Sequence, residues 1–370
     1  MQDPESSVTL FFHSIQGLHR LKMGNVVSKM DAASSTVRRL VNIPRVECGF
    51  YPTPLEEMVR LREVLGDECP RLFIKRDDFL GTGFGGNKLR KLEYVMAREV
   101  DQDTKVIVTL GGEKSNHARV TAAVCARLGL GCVLVLDRSD SGSKNMVPAS
   151  RFVYELLGAQ VKWVSSREER EEAAMALVLE MNESGEKASY LPLGLSFPLG
   201  SLGYIRAYSE VTDQFDKIGI QPNYIFHSSS SGGTQAGLIA GKTLARREGV
   251  KIVGVSPDDS ANTIASKVAE IVNGIFEKLE TSRASTTSED ISVLDEFVGE
   301  GYGIETNESN IATRLLATME GIILDPIYTS KAMAALIDWV KNGKFRRDDT
   351  VLFWHTGGQL AHFYAPAVVY

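Results

Sequence analysis

A lysine amine is a useful nucleophile only where burial or neighbouring cations depress its pKa. The stretch GTGFGGNK (residues 81–88) ends on a candidate, Lys88, with Arg90 and Lys91 just beyond. Three chemistries are open to this stretch. Gly81, Gly83 and Gly86 satisfy G-x-G-x-x-G, the dinucleotide fingerprint. That loop should follow its strand at once and meet an acid at the end of the next strand. Here Arg76 to Leu80 intervene, and Glu113 comes late. A P-loop needs lysine directly after the last glycine, then Ser or Thr. Here Asn87 intervenes and Leu89 follows. In the third reading the small residues let a flat cofactor approach Lys88 closely. The alternative of a solvated lysine opening a helix is weakened because cations are disfavoured at a helix N-terminus.

A second stretch, SSSSGGTQAG (228–237), joins an apolar run to a helix opening near Thr234. Consecutive backbone N–H groups and the helix dipole make an anion site there, to which the hydroxyls of Ser231 and Thr234 add donors. The loop contains no lysine, so it is read as a cradle for a single phosphate. A reactive lysine on one glycine loop and a phosphate cradle on another point to pyridoxal phosphate as cofactor.

These stretches need elements to hold them. Apolar strand-like runs at 71–76, 105–110, 131–137, 160–164, 222–228, 251–257 and 350–356 alternate with helical segments. Unbroken apolar strands between helices are the pattern of parallel sheet covered on both faces. The fold class is therefore α/β, with two open, twisted, mostly parallel sheets and flanking helices. Residues 90–195 are read as a small α/β domain inserted into a large cofactor-binding domain of residues 41–89 and 196–370. Residues 281–295 are polar and read as a surface loop. Ligands in such folds sit beyond the carboxyl ends of the strands. Loops 81–88, 111–117 and 228–237 qualify, and the strand end at 355–358 adds a fourth wall.

Composition agrees with a small-molecule enzyme. The chain has 370 residues, 43% apolar and 24% charged, with net charge −6, so no basic excess argues for nucleic acid. No apolar run approaches the roughly 20 residues needed to span a bilayer, so no membrane partner is expected. Four cysteines without a C-x-x-C pair indicate a reducing, cytoplasmic setting. Six histidines show no ligand spacing, so no metal is expected. Residues 1–40 are read as a poorly ordered extension. Residues 6–30 contain no acid, so a mitochondrial transit peptide is the alternative.

The sequence resembles the 1-aminocyclopropane-1-carboxylate deaminase/D-cysteine desulfhydrase family of tryptophan synthase β-like pyridoxal-phosphate enzymes. The resemblance runs over about residues 43–360, in order through IPRVECGFYPTPLEEMVRL, FIKRDDFLGTGFGGNKLRKLEYV, GGEKSNHAR, LGLSFPLGSLGYI, SSGGTQAGLIAG, YGIETNE, DPIYTSKAM and HTGG. It implies that Lys88 carries the cofactor covalently, with Asn87 beside it. Asn116 would bond the cofactor's 3-oxygen, and Ser230, Ser231, Gly232, Gly233 and Thr234 would hold the phosphate. Ser115 would face the substrate, and Tyr302 and Tyr328 would stand near the reacting atoms. Family members are commonly homodimers.

Two departures separate subgroups. Thr329 stands where the deaminases carry a glutamate that pairs with the pyridine nitrogen, and Thr356 where they carry leucine. With His117 in place of glutamine, this resembles the D-cysteine desulfhydrase side. A neutral hydroxyl makes the cofactor a milder electron sink, sufficient for β-elimination. The implied activity is an α,β-eliminating lyase that converts D-cysteine to pyruvate, ammonia and sulfide, with Lys88 or a tyrosinate taking the α-proton. The alternatives are 1-aminocyclopropane-1-carboxylate deaminase and a cysteate sulfo-lyase. The latter would need Lys114 of the unusual Glu113-Lys114 pair to point into the substrate pocket; otherwise the two charges pair at the rim.

Overall fold

The apolar runs form strands that are mostly buried on both faces. A computed structural model describes residues 40, 42–137 and 149–364. The readings made for residues 1–40 therefore lie, residue 40 apart, outside the described residues. Among those described, the strands are β1 (Leu55–Glu57), β2 (Arg71–Arg76), β3 (Val106–Gly112), β4 (Gly131–Asp137), β5 (Gln160–Val164), β6 (Ala188–Leu191), β7 (Tyr224–Ser228), β8 (Lys251–Val255), β9 (Ser292–Leu294) and β10 (Thr350–His355). The helices are α1 (Val59–Leu65), α2 (Lys88–Asp101), α3 (Asn116–Leu128), α4 (Ala149–Leu156), α5 (Glu169–Glu183), α6 (Pro198–Lys217), α7 (Gly233–Leu244), α8 (Ala261–Lys278), α9 (Asn307–Glu320) and α10 (Thr329–Lys341).

The strands make two sheets, as the alternation predicts. One has the order β1-β2-β10-β7-β8-β9 and the other β5-β4-β3-β6. Every pairing is parallel except that of the edge strand β1 with β2. The fold is thus α/β with two mostly parallel sheets and flanking helices. β10, though last in the chain, lies between β2 and β7, with His355 opposite Arg76 and Phe353 opposite both Ile74 and Phe226. This insertion brings three carboxyl-end loops side by side. Residues 292–294, read above as loop, pair in parallel with β8 as an edge strand. A three-residue run flanked by polar residues carries too little periodicity to register as a strand.

Helices α2, α3, α6 and α8 share one core. Leu89, Leu92 and Val95 of α2 cluster with Val120 and Val124 of α3, Leu202 and Ile205 of α6, and Ile264 and Val268 of α8. Burying each such side chain contributes about 1.5–3 kcal/mol. That packing fixes α2 and α3, whose first turns carry Lys88 and Asn116.

Candidate functional site

Residues beyond the carboxyl ends of β2, β3, β5, β6, β7 and β10, with Asp137 at the end of β4, enclose one cavity. Its walls include Asn87, Lys88, Ser115, Asn116, His117, Ser230, Ser231, Gly232, Thr234, Tyr302, Tyr328 and Thr356. Of the residues expected to touch cofactor or substrate, Lys114, Gly233 and Thr329 are not in the lining.

The GTGFGGNK loop bends sharply before α2. At Gly86 φ is +104°, and a Cβ there would stand 2.6 Å from Asn116 Nδ2 and 3.0 Å from the Thr356 carbonyl oxygen. Only glycine allows both the conformation and the approach. Much of the space these glycines clear is taken by the start of α3 and the end of β10. Lys88 Nζ donates to Asn87 Oδ1 at 3.0 Å, and Asn87 Nδ2 donates to Thr234 Oγ1 at 3.1 Å. Asn87 therefore ties the lysine to the serine-glycine loop. Burial of the amine lowers the Lys88 pKa to about 8, with Asp325 acting in the opposite sense.

The serine-glycine loop opens α7 at Gly232, whose φ is +82°. Ser231 Oγ lies 2.7 Å from Ser196 Oγ, which also accepts from Gly233 N at 3.3 Å. The Ser228 and Ser229 hydroxyls are buried in the cavity wall without a hydrogen-bond partner. Behind the loop, Lys91 is 1% exposed and donates to the Gly194 carbonyl and to Ser196 Oγ, each at 3.1 Å. Among the described residues no carboxylate forms an ion pair with it. A buried amine whose pKa burial and Lys88 lower well below the ordinary lysine value, a helix N-terminus and orphan hydroxyls together fit a phosphate group, whose charge would favour the protonated amine. In the sequence Lys91 reads as mere positive charge near Lys88. Its spacing of three from Lys88, on the same helical face, is the signal that could have found it.

Ser115 caps α3, its Oγ accepting from Ala118 N at 3.2 Å. The hydroxyl proton therefore remains free to be donated. His117 is fully constrained. Thr109 Oγ1 donates its one proton to the Leu191 carbonyl at 2.7 Å, so at 2.8 Å it must accept from His117 Nε2–H. His117 Nδ1 is then a bare, buried acceptor without a partner. Burial, reinforced by Lys88 and Lys91, lowers the ring's pKa to about 3, so it is neutral at physiological pH.

Tyr302 and Tyr328 meet through their hydroxyls at 2.5 Å. The Tyr328 phenol is pushed well above its ordinary pKa by burial and by Tyr302. Thr329 turns away from the cavity. Its hydroxyl donates to Asp325 Oδ1 at 2.6 Å and accepts from Asp325 N at 2.7 Å, which closes a loop at the start of α10. Thr356 is the threonine of the pair that faces the cavity.

Arg167 and Arg170 line the cavity where Lys114 does not. Arg167 pairs with Asp258 at 3.1 Å and lies over the Tyr302 ring at 5.4 Å from its centre, while Arg170 pairs with Asp137 at 3.1 Å. Sequence reading missed both, because SSREEREE looks like the charged start of a surface helix. Among the described residues, no three His, Cys, Asp or Glu side chains gather to hold a metal ion. Among the same residues, no helix is long and apolar enough to cross a membrane.

Comparison with known proteins gives the family of the chain. Residues 46–357 match the family described as pyridoxal-phosphate dependent enzyme. The chain is 34% identical over 335 residues to D-cysteine desulfhydrase of Salmonella newport (strain SL254), covering 90% of this chain and 99% of that protein. A solved ACC deaminase homologue superposes with a TM-score of 0.79 at 30% identity, covering 89% of this chain and 96% of that one. A solved threonine deaminase, from T.th., shares the fold, with a TM-score of 0.59 at 20% identity over 87% of this chain and 96% of its own.

Proposed function

Since the chain belongs to the pyridoxal-phosphate dependent enzymes, we propose that it is a β-eliminating lyase acting on D-cysteine or a close β-substituted amino acid. The observation that carries this reading is Asn87, which joins the Lys88 amine to the anion cradle through hydrogen bonds of 3.0 and 3.1 Å. The relative at 34% identity is a D-cysteine desulfhydrase. The presence of Thr356 in the lining, with Thr329 closed onto Asp325, supports a cofactor ring met by a neutral hydroxyl.

Lys88 would hold the cofactor, with Ser230, Ser231, Gly232, Gly233 and Thr234 about its phosphate and Lys91 behind them, hydrogen-bonded to Ser196. Asn116 would face the 3-oxygen and Thr356 the ring nitrogen. Pyridoxal phosphate supplies an aldehyde for an amine and a ring that withdraws the electrons left when an α-proton is removed. The Ser115 hydroxyl and the first N–H groups of α3 would bind the substrate carboxylate and so orient the Cα–H bond. Of the two candidate bases, the Lys88 amine is the better placed, since its pKa is lowered to about 8 while burial holds the Tyr328 phenol protonated. The tyrosine pair then serves as hydrogen-bond donor near the reacting atoms. Arg167 and Arg170 are each already paired with a carboxylate, and the lining does not include Lys114. Neither fact favours an anionic β-substituent.

A substrate panel tests this assignment. D-Cysteine is expected to yield pyruvate and sulfide, with L-cysteate and 1-aminocyclopropane-1-carboxylate turned over at least about tenfold more slowly, the scale of discrimination a fitted pocket gives. Release of 2-oxobutanoate from the cyclopropane, with no pyruvate from D-cysteine, would overturn it.

We further propose a cytoplasmic homodimer. All four cysteines are buried as free thiols. Phe50, whose ring lies beside Gly81, and Phe79 and Phe84 on either side of Gly81 in the sequence are exposed by 73%, 54% and 59%, and burying such rings would favour a second copy. Sedimentation equilibrium is expected to give a dimer for the wild type and a shift toward monomer for Phe84→Asp. A wild-type monomer would refute the dimer.

A further inference from the structure

Arg119 lies one turn into α3, three residues after Asn116, and is 1% exposed. Its Nε donates to the Gly83 carbonyl at 2.8 Å, and a terminal nitrogen donates to Asn116 Oδ1. Asn116 Nδ2 points the other way, since a Cβ on Gly86 would come within 2.6 Å of it. An amide has one acceptor atom and one NH₂ donor, whereas a guanidinium has donors only. A flipped Asn116 would set N–H against N–H. Arg119 therefore permits one orientation of this amide, with the NH₂ turned to the Lys88 loop and the cavity. Its positive charge also draws electron density from the amide oxygen and strengthens the remaining N–H donors.

We propose that Arg119 is a positioning residue that locks Asn116 as a hydrogen-bond donor toward the cofactor's 3-oxygen. The proposal rests on the reading that Asn116 meets that oxygen. A donor there favours the ionised 3-oxygen, and the balance between its ionised and protonated forms is visible in the absorption spectrum. The contact with Gly83 makes the same side chain a brace between the glycine loop and α3.

The test uses cofactor-loaded enzyme at one fixed pH, comparing wild type, Arg119→Met, Arg119→Lys, Asn116→Ala and the Asn116→Ala/Arg119→Met double variant. Arg119→Met is expected to move absorbance from the visible band to the near-ultraviolet band, in the same direction as Asn116→Ala. Its kcat should fall about tenfold to hundredfold, with a smaller change in KM. Arg119→Lys keeps a charged donor and should recover part of both signals. The double variant should be no worse than Asn116→Ala alone, because both changes remove one interaction. If Arg119→Met does not fold, Arg119→Lys carries the test with a partial spectral shift. A wild-type spectrum in the Arg119 variants, or additive losses in the double variant, would reduce Arg119 to a brace. A wild-type spectrum in Asn116→Ala would instead overturn the reading beneath, and the proposal with it.

Discussion

Lys88→Ala is expected to leave a folded protein that holds no cofactor covalently. Borohydride reduction should label the Lys88 peptide of the wild type and nothing in the variant. Lyase turnover should fall by about 10²–10⁴-fold or more, the range for loss of a positioned proton acceptor. The wild-type amine also has a pH signature. Burial lowers its pKa from 10.5 to about 8, so its uncharged fraction grows as the pH rises through that value. Capture of added pyridoxal phosphate by cofactor-stripped enzyme should therefore accelerate from about pH 6 and level off near about pH 9. An unburied lysine would give a rate still climbing beyond that. Covalent label in Lys88→Ala, or no plateau in the wild type, would remove Lys88 from its assigned place.

Arg90→Met should be the most damaging change away from the cavity surface. Arg90 and Asp77 have side chains 2% and 0% exposed and are joined by two hydrogen bonds of 2.9 and 2.7 Å. Arg90 also reaches both Glu210 oxygens at 3.0 Å, and Lys75 meets Glu210 at 2.6 Å. Trp354 of β10 and Tyr204 of α6 donate to Asp77 at 2.8 and 2.7 Å. The cluster thus fastens β2, α2, α6 and β10 beneath the lysine loop. Removing its arginine leaves Asp77 without an ion-pair partner and Glu210 with Lys75 only, at a cost of about 3–5 kcal/mol. Burial alone would raise the Glu210 pKa, but Arg90 and Lys75 outweigh it and hold it below the ordinary carboxylate value. A depressed carboxylate stabilises the fold above its unfolded pKa of 4.5 and loses that contribution as the pH falls through its folded value. The deficit of Arg90→Met, measured as a denaturant midpoint, should therefore be largest at neutral pH and narrow in acid. An equal deficit at both ends of the range would show that the arginine acts by packing alone.

Much of the site was legible because its signals are local. Lys88 after its glycines, the serine-glycine turn into α7 and Ser115-Asn116-His117 opening α3 each follow from a few neighbouring residues and the rules of helix termini. Thr329 and Thr356 looked equivalent, since each is a threonine beside a matched motif. Only the fold separates them, because Asp325 captures one hydroxyl and leaves the other at the cavity. Lys114 drew attention by standing next to Ser115. The cavity's cations came instead from Arg167 and Arg170, more than about 50 residues further along.

From residue order alone came the alternation of apolar strands with helices, the glycine loop that ends on Lys88, and the serine-glycine loop able to hold an anion. These properties depend on contacts within a turn or two of chain, where side-chain type and spacing decide the outcome. Tertiary structure alone decided that β10 enters between β2 and β7, that Arg119 of α3 reaches the Gly83 carbonyl, that the Lys91 amine meets the Gly194 carbonyl, and that residues 292–294 complete a sheet edge. Each of these depends on which surfaces meet when the core closes, and no local pattern records that.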